Sequence, residues 1–292
     1  MDTATITTED AGVVVRKGIA YARHGNVELR GDLYLPAGDG PFPVVVAAPG
    51  GGWRLCDPRA AKVWGPFLAM NGIALFGFNY RVADKTKMFP EAVCDVVSAI
   101  QFVRGAADEL GIDPARIAML GSSAGAHVGA LATLGGDSPH FRNAQPANDF
   151  SSADASVKTF AGIYGVYDLF ALWQQEIADI TDPKERRSEC LIGAPPFANR
   201  QSYFDASPIS YVRYAVNTIP MFIAYGTADE TVNPQFQTIP FIGALKQAGF
   251  MVRDFPVIGA GHFWFGEEPI DDPRGYTGYI APRLLRFFKQ FL

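Results

Sequence analysis

Apolar positions along this chain form short runs that predict β-strands. In "NVELRGDLYLP", Val27, Leu29, Leu33 and Leu35 fall on one side of the chain, which is typical of a strand with one covered face. The runs "FPVVVAAP" and "IALFGFNY" are almost continuously apolar, as in strands that are buried on both faces. Further strands are predicted in "RIAMLG", "VKTFAGIYG", "IPMFIAYG" and "MVRDFPV".

Segments with helical spacing lie between these runs. Residues 59–70 are predicted to be helical, and after Pro90 the segment "EAVCDVVSAIQFVRGAADELG" places apolar residues every three or four positions until Gly111. The segment "YIAPRLLRFFKQFL" predicts the last helix. This alternation predicts an α/β fold, in which a mainly parallel central sheet carries helices on both faces.

The chain shows no internal repeat and no low-complexity linker, so residues 1–292 are predicted to form a single domain. Two stretches interrupt the alternation. Residues 137–157 are polar and irregular, and residues 170–210 mix helix formers with "GAPPFANR". Long excursions of this kind are often lids or binding loops, and we predict that residues 170–210 form a partial cap over the site.

Composition narrows the class of protein. Apolar residues make up 48% and charged residues 19% of the chain, and the formal net charge is −5, so there is no basic excess that would attract nucleic acid. No apolar run approaches the length of a membrane span, and Met1–Asp10 is too polar for a secretory signal. Cys56, Cys94 and Cys190 are far apart and lack metal-ligand spacing, which indicates reduced thiols in a cytoplasmic protein.

One segment places a serine at a sharp turn between a strand and a helix. "RIAMLG" leads into "GSSAGAHVGALATL", which matches the motif G-x-S-x-G at Gly121, Ser123 and Gly125. In this motif the serine side chain stands above the sheet, and the glycines are needed because the tight turn leaves no room for Cβ atoms. Ser123 is therefore the predicted nucleophile, although a small polar turn without chemistry is the alternative for so short a motif.

A serine nucleophile needs a base, and the chain has four histidines. His24 lies in a turn and His140 in the polar loop, while His127 follows Ser123 by one helical turn and is expected to pack against the helix. His262, in "VIGAGHFWF", follows the last predicted strand on a glycine-rich loop. This position fits a chain order of serine, acid and histidine, so His262 is the predicted base.

The acid is expected on a loop after a strand. In "MFIAYGTADETVNP", Asp229 comes just after an apolar strand and a glycine turn, where it would fix the imidazole tautomer and stabilise the imidazolium. Glu230 is adjacent, but only one of two neighbouring side chains can face the site. Asp168, in "YGVYDL", is the second candidate, although a role in a turn or helix cap is preferred for it.

The run "VVVAAPGGGWRLCD" takes a buried strand into three successive glycines. Glycines in such a run supply unusual backbone angles or close approach to a ligand, either a phosphate or an oxygen that becomes negative during a reaction. A phosphate loop would continue into Lys-Ser/Thr, and a dinucleotide loop would show G-x-G-x-x-G; neither pattern occurs here. The N–H groups of Gly51, Gly52 and Ala124 are therefore the candidate donors of an oxyanion hole.

Several motifs occur together in one order and spacing: "LRGDLYLP", "PGGGW", "NYR", "GIDPARIAMLGSSAGAH", "IYGVYDL", "GTADETV" and "GAGH". With them the chain resembles, over nearly its whole length, α/β-hydrolases of the hormone-sensitive-lipase-like and bacterial feruloyl/acetylxylan-esterase-like branch. The resemblance implies the α/β-hydrolase fold. It also implies these site residues: a catalytic triad of Ser123, Asp229 and His262, and an oxyanion hole of Gly51, Gly52 and Ala124.

One position departs from that branch. A histidine usually precedes the glycines and supports the oxyanion loop, whereas this chain has Pro49. Proline fixes φ and is expected to pre-set the loop, with the Ala48–Pro49 bond as a candidate for the cis form. Donation by the glycine N–H groups survives the exchange, but the loop then needs support from another residue.

These observations favour a cofactor-free and metal-free serine carboxylesterase that acts on small-molecule esters with short acyl or aryl groups. The partner is the ester substrate, with no nucleic acid and no membrane, and the chain is expected to be a monomer or a homodimer. Aromatic residues near the expected rim suggest an apolar substrate pocket, with ordinary packing as an equally good interpretation. These residues are Trp53, Phe263 and Trp264, together with Phe170 and Trp173.

Three other functions are compatible with the same residues. The machinery also cleaves amides, and arylformamidases share a "GGxW" loop, so hydrolysis of N-formylkynurenine is the nearest alternative. A non-catalytic small-molecule-binding protein on this fold would usually lack the histidine, which is present here as His262. A catalytically silent interaction protein is the weakest alternative, because it would have no use for three parts of a site.

Overall fold

A computed structural model describes residues 12–57, 59–83, 87–142 and 146–292, and the backbone of residues 5–9. Within these ranges there are nine strands: β1 (Thr5–Glu9), β2 (Val13–His24), β3 (Val27–Leu35), β4 (Phe42–Ala48), β5 (Ala74–Phe78), β6 (Ile112–Ser122), β7 (Thr159–Ile163), β8 (Met221–Gly226) and β9 (Val252–Val257). They form one sheet in the order β1-β2-β3-β5-β4-β6-β7-β8-β9.

The sheet is mainly parallel, as the alternation predicts. Every step from β5 through β4, β6, β7 and β8 to β9 is parallel. The other edge is antiparallel, because β1 pairs with β2, β2 with β3, and β3 with β5 in that sense. The strands β1 and β2 are not among the predicted ones, whereas the seven apolar segments quoted above all contain a strand.

The described residues contain eleven α-helices: α1 (Arg59–Met70), α2 (Glu91–Gly105), α3 (Ala107–Leu110), α4 (Ala124–Gly135), α5 (Pro139–Arg142), α6 (Leu169–Asp179), α7 (Arg187–Ile192), α8 (Arg200–Asp205), α9 (Thr238–Gln247), α10 (Trp264–Glu267) and α11 (Tyr276–Phe291). Short 3₁₀ turns occur at Pro183–Glu185, Pro208–Tyr211 and Tyr214–Val216. The helix predicted after Pro90 is divided at Ala106, and the last helix begins at Tyr276 rather than at Tyr279.

Buried side chains form one core on each face of the sheet. In β4, Val44 and Val46 belong to one core and Val45 and Ala47 to the other, as expected when successive side chains point to opposite faces. The first core packs against α2 and α4, and the second against α1 and α11. The sheet is thus covered on both faces, which explains why its central strands are almost continuously apolar.

Parallel strands bring their carboxyl ends to one edge of the sheet, and this edge carries the candidate site. The loops that hold the three glycines, Asp229 and His262 follow β4, β8 and β9, and Ser123 follows β6 directly. Ligands of open α/β sheets bind outside this edge. The segment predicted as a cap, residues 170–210, spans most of α6 together with α7 and α8 and connects β7 to β8.

A buried ion pair attaches the loop after β5 to α2. The Arg81 guanidinium binds the fully buried carboxylate of Asp95, with Nη2 at 2.7 Å from Oδ1.

Among the described residues, no helix combines the length and the apolar character needed to cross a membrane.

Candidate active site

Ser123 occupies a strained turn between β6 and α4. Its φ of 53° lies in the left-handed region, which a non-glycine residue rarely adopts and which is common at functional sites. The flanking glycines are required by close packing. A Cβ on Gly121 would lie 2.3 Å from the carbonyl oxygen of Gly125, and a Cβ on Gly125 would lie 2.2 Å from that of Ala48. The turn at Ser123 therefore leaves no room for Cβ atoms at its two glycines, as the motif predicts, and it packs against the end of β4.

His262 connects Ser123 to Asp229 in one hydrogen-bonded chain. The Nε2 atom of His262 lies 2.9 Å from Oγ of Ser123, and its Nδ1 atom lies 2.6 Å from Oδ2 of Asp229. With the proton on Nδ1 donated to the carboxylate, Nε2 is the acceptor for the serine hydroxyl. The three residues named from the sequence are therefore brought together, although 139 positions separate Ser123 from His262.

The Asp229 carboxylate is held in place by the backbone. Its Oδ1 atom accepts hydrogen bonds from the N–H groups of Thr231 at 3.0 Å and Val232 at 2.9 Å, which leaves Oδ2 for His262. The neighbouring Glu230 is exposed. The second candidate, Asp168, caps α6 by accepting a hydrogen bond from the N–H of Ala171, which is the capping role preferred for it.

The glycine loop lies directly beside the nucleophile. Gly50, Gly51 and Gly52 line one cleft together with Ser123 and His262. Among the described residues, none accepts a hydrogen bond from the backbone N–H of Gly51, Gly52 or Ala124, so these donors remain for a ligand. Gly51 has φ of 129°, and a Cβ there would lie 2.1 Å from the carbonyl oxygen of Leu55, so this position requires glycine.

Support for this loop comes from Trp53, His127 and Tyr80. His127 is fully buried, and its Nδ1 accepts a hydrogen bond from Nε1 of Trp53 at 3.1 Å. The Nε2 atom of His127 lies 2.6 Å from the carbonyl oxygen of Ala206. The Tyr80 hydroxyl donates to the carbonyl oxygen of Pro49 at 3.0 Å. The Ala48–Pro49 bond is trans, so its suggested cis form is not found; the cis bonds of the described residues precede Pro41 and Pro90.

The structure corrects two of the aromatic assignments. Trp53 and Trp264 are 2% and 3% exposed and pack in the two cores, so neither side chain lines the cleft. Phe263 does line it and is 53% exposed. The His262 ring lies between Phe263, at 4.6 Å between ring centroids, and Tyr164, at 4.4 Å. The sequence does not identify Tyr164 as a site residue. The feature that marks it is its positive φ of 38°, which can be seen only in the structure.

The segment predicted as a cap contributes Arg187 to the cleft. Its Nε atom donates to Oε1 of the buried Glu176 at 3.0 Å, and Glu176 also accepts from the backbone N–H groups of Arg187 and Ser188. The arginine stem lies over the glycine loop, since a Cβ on Gly52 would be 3.4 Å from its Cδ. Leu55, Thr231 and Glu267 also line the cleft, as do Asp57 and Arg59, and its volume is about 290 Å³.

This arrangement suits nucleophilic attack on a carbonyl group. It offers a hydroxyl next to a histidine base, a carboxylate that orients the base, and unoccupied N–H donors beside the hydroxyl. In the described part of the chain, no group of three or more His, Cys, Asp or Glu side chains could hold a metal ion. The sheet, the strained serine turn and the loops after β8 and β9 define the α/β-hydrolase fold.

Comparison with known proteins identifies the family. The chain belongs to the BD-FAE family, whose signature matches residues 31–241. It is 34% identical over 227 residues to "Probable carboxylic ester hydrolase LipM" of Mycobacterium tuberculosis, covering 77% of this chain and 49% of that protein. It is 32% identical over 257 residues to "Esterase LipC" of the same organism, covering 86% and 59%. The chain thus spans half to three fifths of these relatives.

Solved structures agree over the full chain. Thermogutta terrifontis esterase 2, phosphoramylated by tabun, matches with a TM-score of 0.74 and 26% identity, covering 97% of this chain and 96% of that one. The same esterase with propionate bound matches with a TM-score of 0.72 and 26% identity, covering 100% and 94%. These matches extend the likeness to an esterase of similar length.

Proposed function

We propose that this protein is a serine carboxylesterase that hydrolyses short-chain or aryl carboxylic esters through an acyl-enzyme on Ser123. The observation that carries the proposal is the hydrogen-bonded chain from Ser123 through His262 to Asp229, with distances of 2.9 and 2.6 Å. The relatives named as esterases support the ester class. The bound propionate of the Thermogutta terrifontis esterase supports small acyl groups.

In the first half of the reaction, His262 Nε2 takes the proton of the Ser123 hydroxyl while Oγ attacks the ester carbonyl carbon. The carbonyl oxygen becomes negative and receives hydrogen bonds from the N–H groups of Gly51, Gly52 and Ala124. Asp229 stabilises the imidazolium that forms. His262 then returns the proton to the leaving alkoxide, which departs as the alcohol and leaves the acyl group on Ser123.

In the second half, water replaces the alcohol. His262 removes a proton from the water molecule, whose oxygen attacks the acyl carbon, and the same N–H donors meet the second tetrahedral intermediate. The proton returns to Oγ of Ser123 as the carboxylic acid leaves. No step needs a cofactor or a metal ion.

We further propose a cytoplasmic location, because the three cysteines are thiols rather than disulfides.

The test combines a nucleophile variant with two substrates. The wild-type protein is expected to hydrolyse p-nitrophenyl acetate with a burst of p-nitrophenol, and to act weakly or not at all on N-formylkynurenine. Ser123→Ala is expected to abolish the burst and to lower kcat by at least 10³-fold. Ser122→Ala is the comparison: that neighbour lines the cleft but lies outside the hydrogen-bonded chain, so its kcat should fall far less than that of Ser123→Ala.

Turnover of N-formylkynurenine well above that of the ester would replace the proposal with the amide hydrolase. A Ser123→Ala protein with kcat near that of the wild type would contradict the assignment of the nucleophile. Tight binding of an ester without turnover in the wild type would instead indicate a binding protein.

A further inference from the structure

A second cavity adjoins the catalytic cleft on the side of the glycine loop. This side cavity has a volume of about 220 Å³ and lies between α1 and the sheet. Ala60 and Ser122 line both spaces, and Pro49 lines the side cavity while Gly50, the next residue, lines the cleft. The two spaces therefore meet at small side chains, and one of these, Ser122, is next to the nucleophile.

The side cavity has an apolar body and a polar end. Its body is formed by Tyr34, Trp64, Leu75, Leu120 and Phe265, and Arg30, Asp32 and Asn79 line its other end. Asn79 is exposed, so this end meets the solvent. An apolar group in this cavity would pack against the apolar body, whereas a longer one would also meet the charged groups.

The position of His262 decides which arm of an ester faces this space. The leaving oxygen must receive its proton from Nε2 of His262, so the alcohol arm lies on the histidine side. His262, Phe263 and Arg187 line the cleft but not the side cavity. The acyl arm extends from the carbonyl carbon away from the leaving oxygen, and Ser122 and Ala60 are the cleft residues that also line the side cavity.

We propose that the side cavity binds the acyl chain of the ester, and that it favours a straight saturated chain of about six to eight carbon atoms. The proposal rests on the proposed esterase function and names its substrate class. An apolar cavity of about 150 Å³ holds one benzene molecule, so the larger side cavity has room for about six to eight carbon atoms. Longer chains would place methylene groups against Arg30 and Asp32, which sets an upper limit.

Ala61 allows the side cavity to be filled without touching the cleft. It lines the side cavity and is absent from the cleft lining. Its side chain faces the sheet, because a Cβ built on Gly77 would lie 2.6 Å from Cβ of Ala61. It lies on α1, where leucine is a good helix former, so Ala61→Leu reduces the cavity without a helix penalty. Because Ala61 packs directly on Gly77, thermal unfolding of the variant checks that the added atoms fill the cavity without disrupting the sheet.

The experiment measures kcat/KM on p-nitrophenyl esters from acetate to dodecanoate. In the wild type we expect a rise of about fourfold per added methylene up to hexanoate, as burial of each group predicts, and a fall beyond octanoate. Ala61→Leu is expected to keep acetate activity within about twofold and to lose at least tenfold on hexanoate. Ala178→Leu, an exposed alanine on α6, is the matched control and should keep the wild-type profile.

A second measurement does not depend on the variant. Free carboxylates from acetate to octanoate, used as competitive inhibitors of acetate ester hydrolysis by the wild type, are expected to bind more tightly with each methylene. A profile that is highest at acetate, with inhibition constants independent of length, would overturn the side cavity as acyl site while the esterase function stands. Absence of turnover on every ester would instead contradict the proposed function.

Discussion

Among single residues, Asp229 has both carboxylate oxygens in use, Oδ1 toward two backbone N–H groups and Oδ2 toward His262. Asp229→Asn keeps the size of the side chain but favours the wrong imidazole tautomer, because an amide N–H can then donate to Nδ1. We expect kcat to fall by about 10³- to 10⁴-fold with little change in KM. Steady-state kinetics on p-nitrophenyl acetate measures this loss.

Asp168→Asn is the control for that substitution. Asp168 is the N-cap of α6, and asparagine is an equally good capping residue, so activity and thermal stability should both stay near the wild type. If Asp168→Asn lost the activity and Asp229→Asn kept it, the acid of the triad would be Asp168.

A second prediction about a single residue concerns the effect of Gly51→Ala on catalysis. Gly51→Ala forces the loop to move, because its Cβ would lie 2.1 Å from the carbonyl oxygen of Leu55. If the N–H groups of this loop bind the oxyanion, the loss falls on the transition state, so kcat should drop about 100-fold while KM changes little. Kinetics on one activated ester, with circular dichroism to check folding, measures both constants.

Gly72→Ala is the matched control for the backbone strain itself. Gly72 also has a positive φ, at 84°, but a Cβ there would meet no atom within 4 Å. Gly72 does not line the catalytic cleft. A folded Gly51→Ala protein with unchanged kcat would mean that the glycine serves packing against Leu55 and supplies no donor.

The aromatic residues show where sequence reasoning ends at this scale. The triad follows from motifs, because each member sits at a fixed place after a strand. Trp53, Phe263 and Trp264 all lie beside a motif, and the sequence contains nothing that distinguishes an inward from an outward side chain in a loop. Tertiary contacts decide it: Trp53 and Phe263 have nearly the same φ, 60° and 65°, yet Trp53 is buried against His127 while Phe263 stays exposed over His262.

Among the elements, the glycine loop depends on a contact with the nucleophile helix α4. The Trp53–His127 hydrogen bond joins the two, and Nε2 of His127 continues to Ala206, just after α8. Trp53→Phe removes the indole donor and leaves Nδ1 of a buried histidine without its partner, which costs about 1–3 kcal/mol of unfolding free energy. Because the loop loses its anchor, we also expect kcat to fall several-fold more than KM rises.

Trp173→Phe is the matched control. Trp173 also donates through its Nε1, to Oε1 of Glu189 at 2.9 Å, but it lies on α6 away from the cleft. Urea unfolding and kinetics on both variants separate a loss of stability from a loss of positioning. Unchanged kcat in a folded Trp53→Phe protein would mean that the loop is held without His127.

Among the strands, the sequence predicts those whose apolar residues follow a regular pattern and misses those in which this pattern is interrupted. Five of the seven predicted strands, β4 to β8, lie inside the parallel part of the sheet with mostly buried side chains, so their apolar runs are clear. The strand β3 shows a regular alternation, and the edge strand β9 is only partly buried. The strand β2 carries alternating buried and exposed side chains and two irregularities of register, at Arg16/Ile19 and Ala20/Ala22, which interrupt its period. The contact between Trp53 and His127 joins residues 74 positions apart and leaves no local signal.

For the whole molecule, the burial of His127 predicts how the free energy of unfolding depends on pH. Burial lowers the pKa of His127 to about 4, with no charged group among the causes, while its pKa in the unfolded chain has the ordinary value near 6.5. Between these two values the unfolded chain binds one proton more than the native protein. Lowering the pH through this window therefore stabilises the unfolded state, and the contribution of His127 amounts to about 3 kcal/mol at pH 4.

His127→Gln tests this prediction because it removes the titrating group and keeps a side chain with both a donor and an acceptor. The variant should be less stable than the wild type at pH 7, since the geometry toward Trp53 and Ala206 is lost, and the difference should shrink as the pH falls from 6.5 to 4. Urea unfolding at several pH values measures it, with His24→Gln, an exposed histidine at the end of β2, as the control. A difference between wild type and His127→Gln that stays constant across this window would show that burial does not hold His127 neutral. His127 would then be protonated in the native protein at acid pH, and its Nδ1 could no longer accept the hydrogen bond from Trp53.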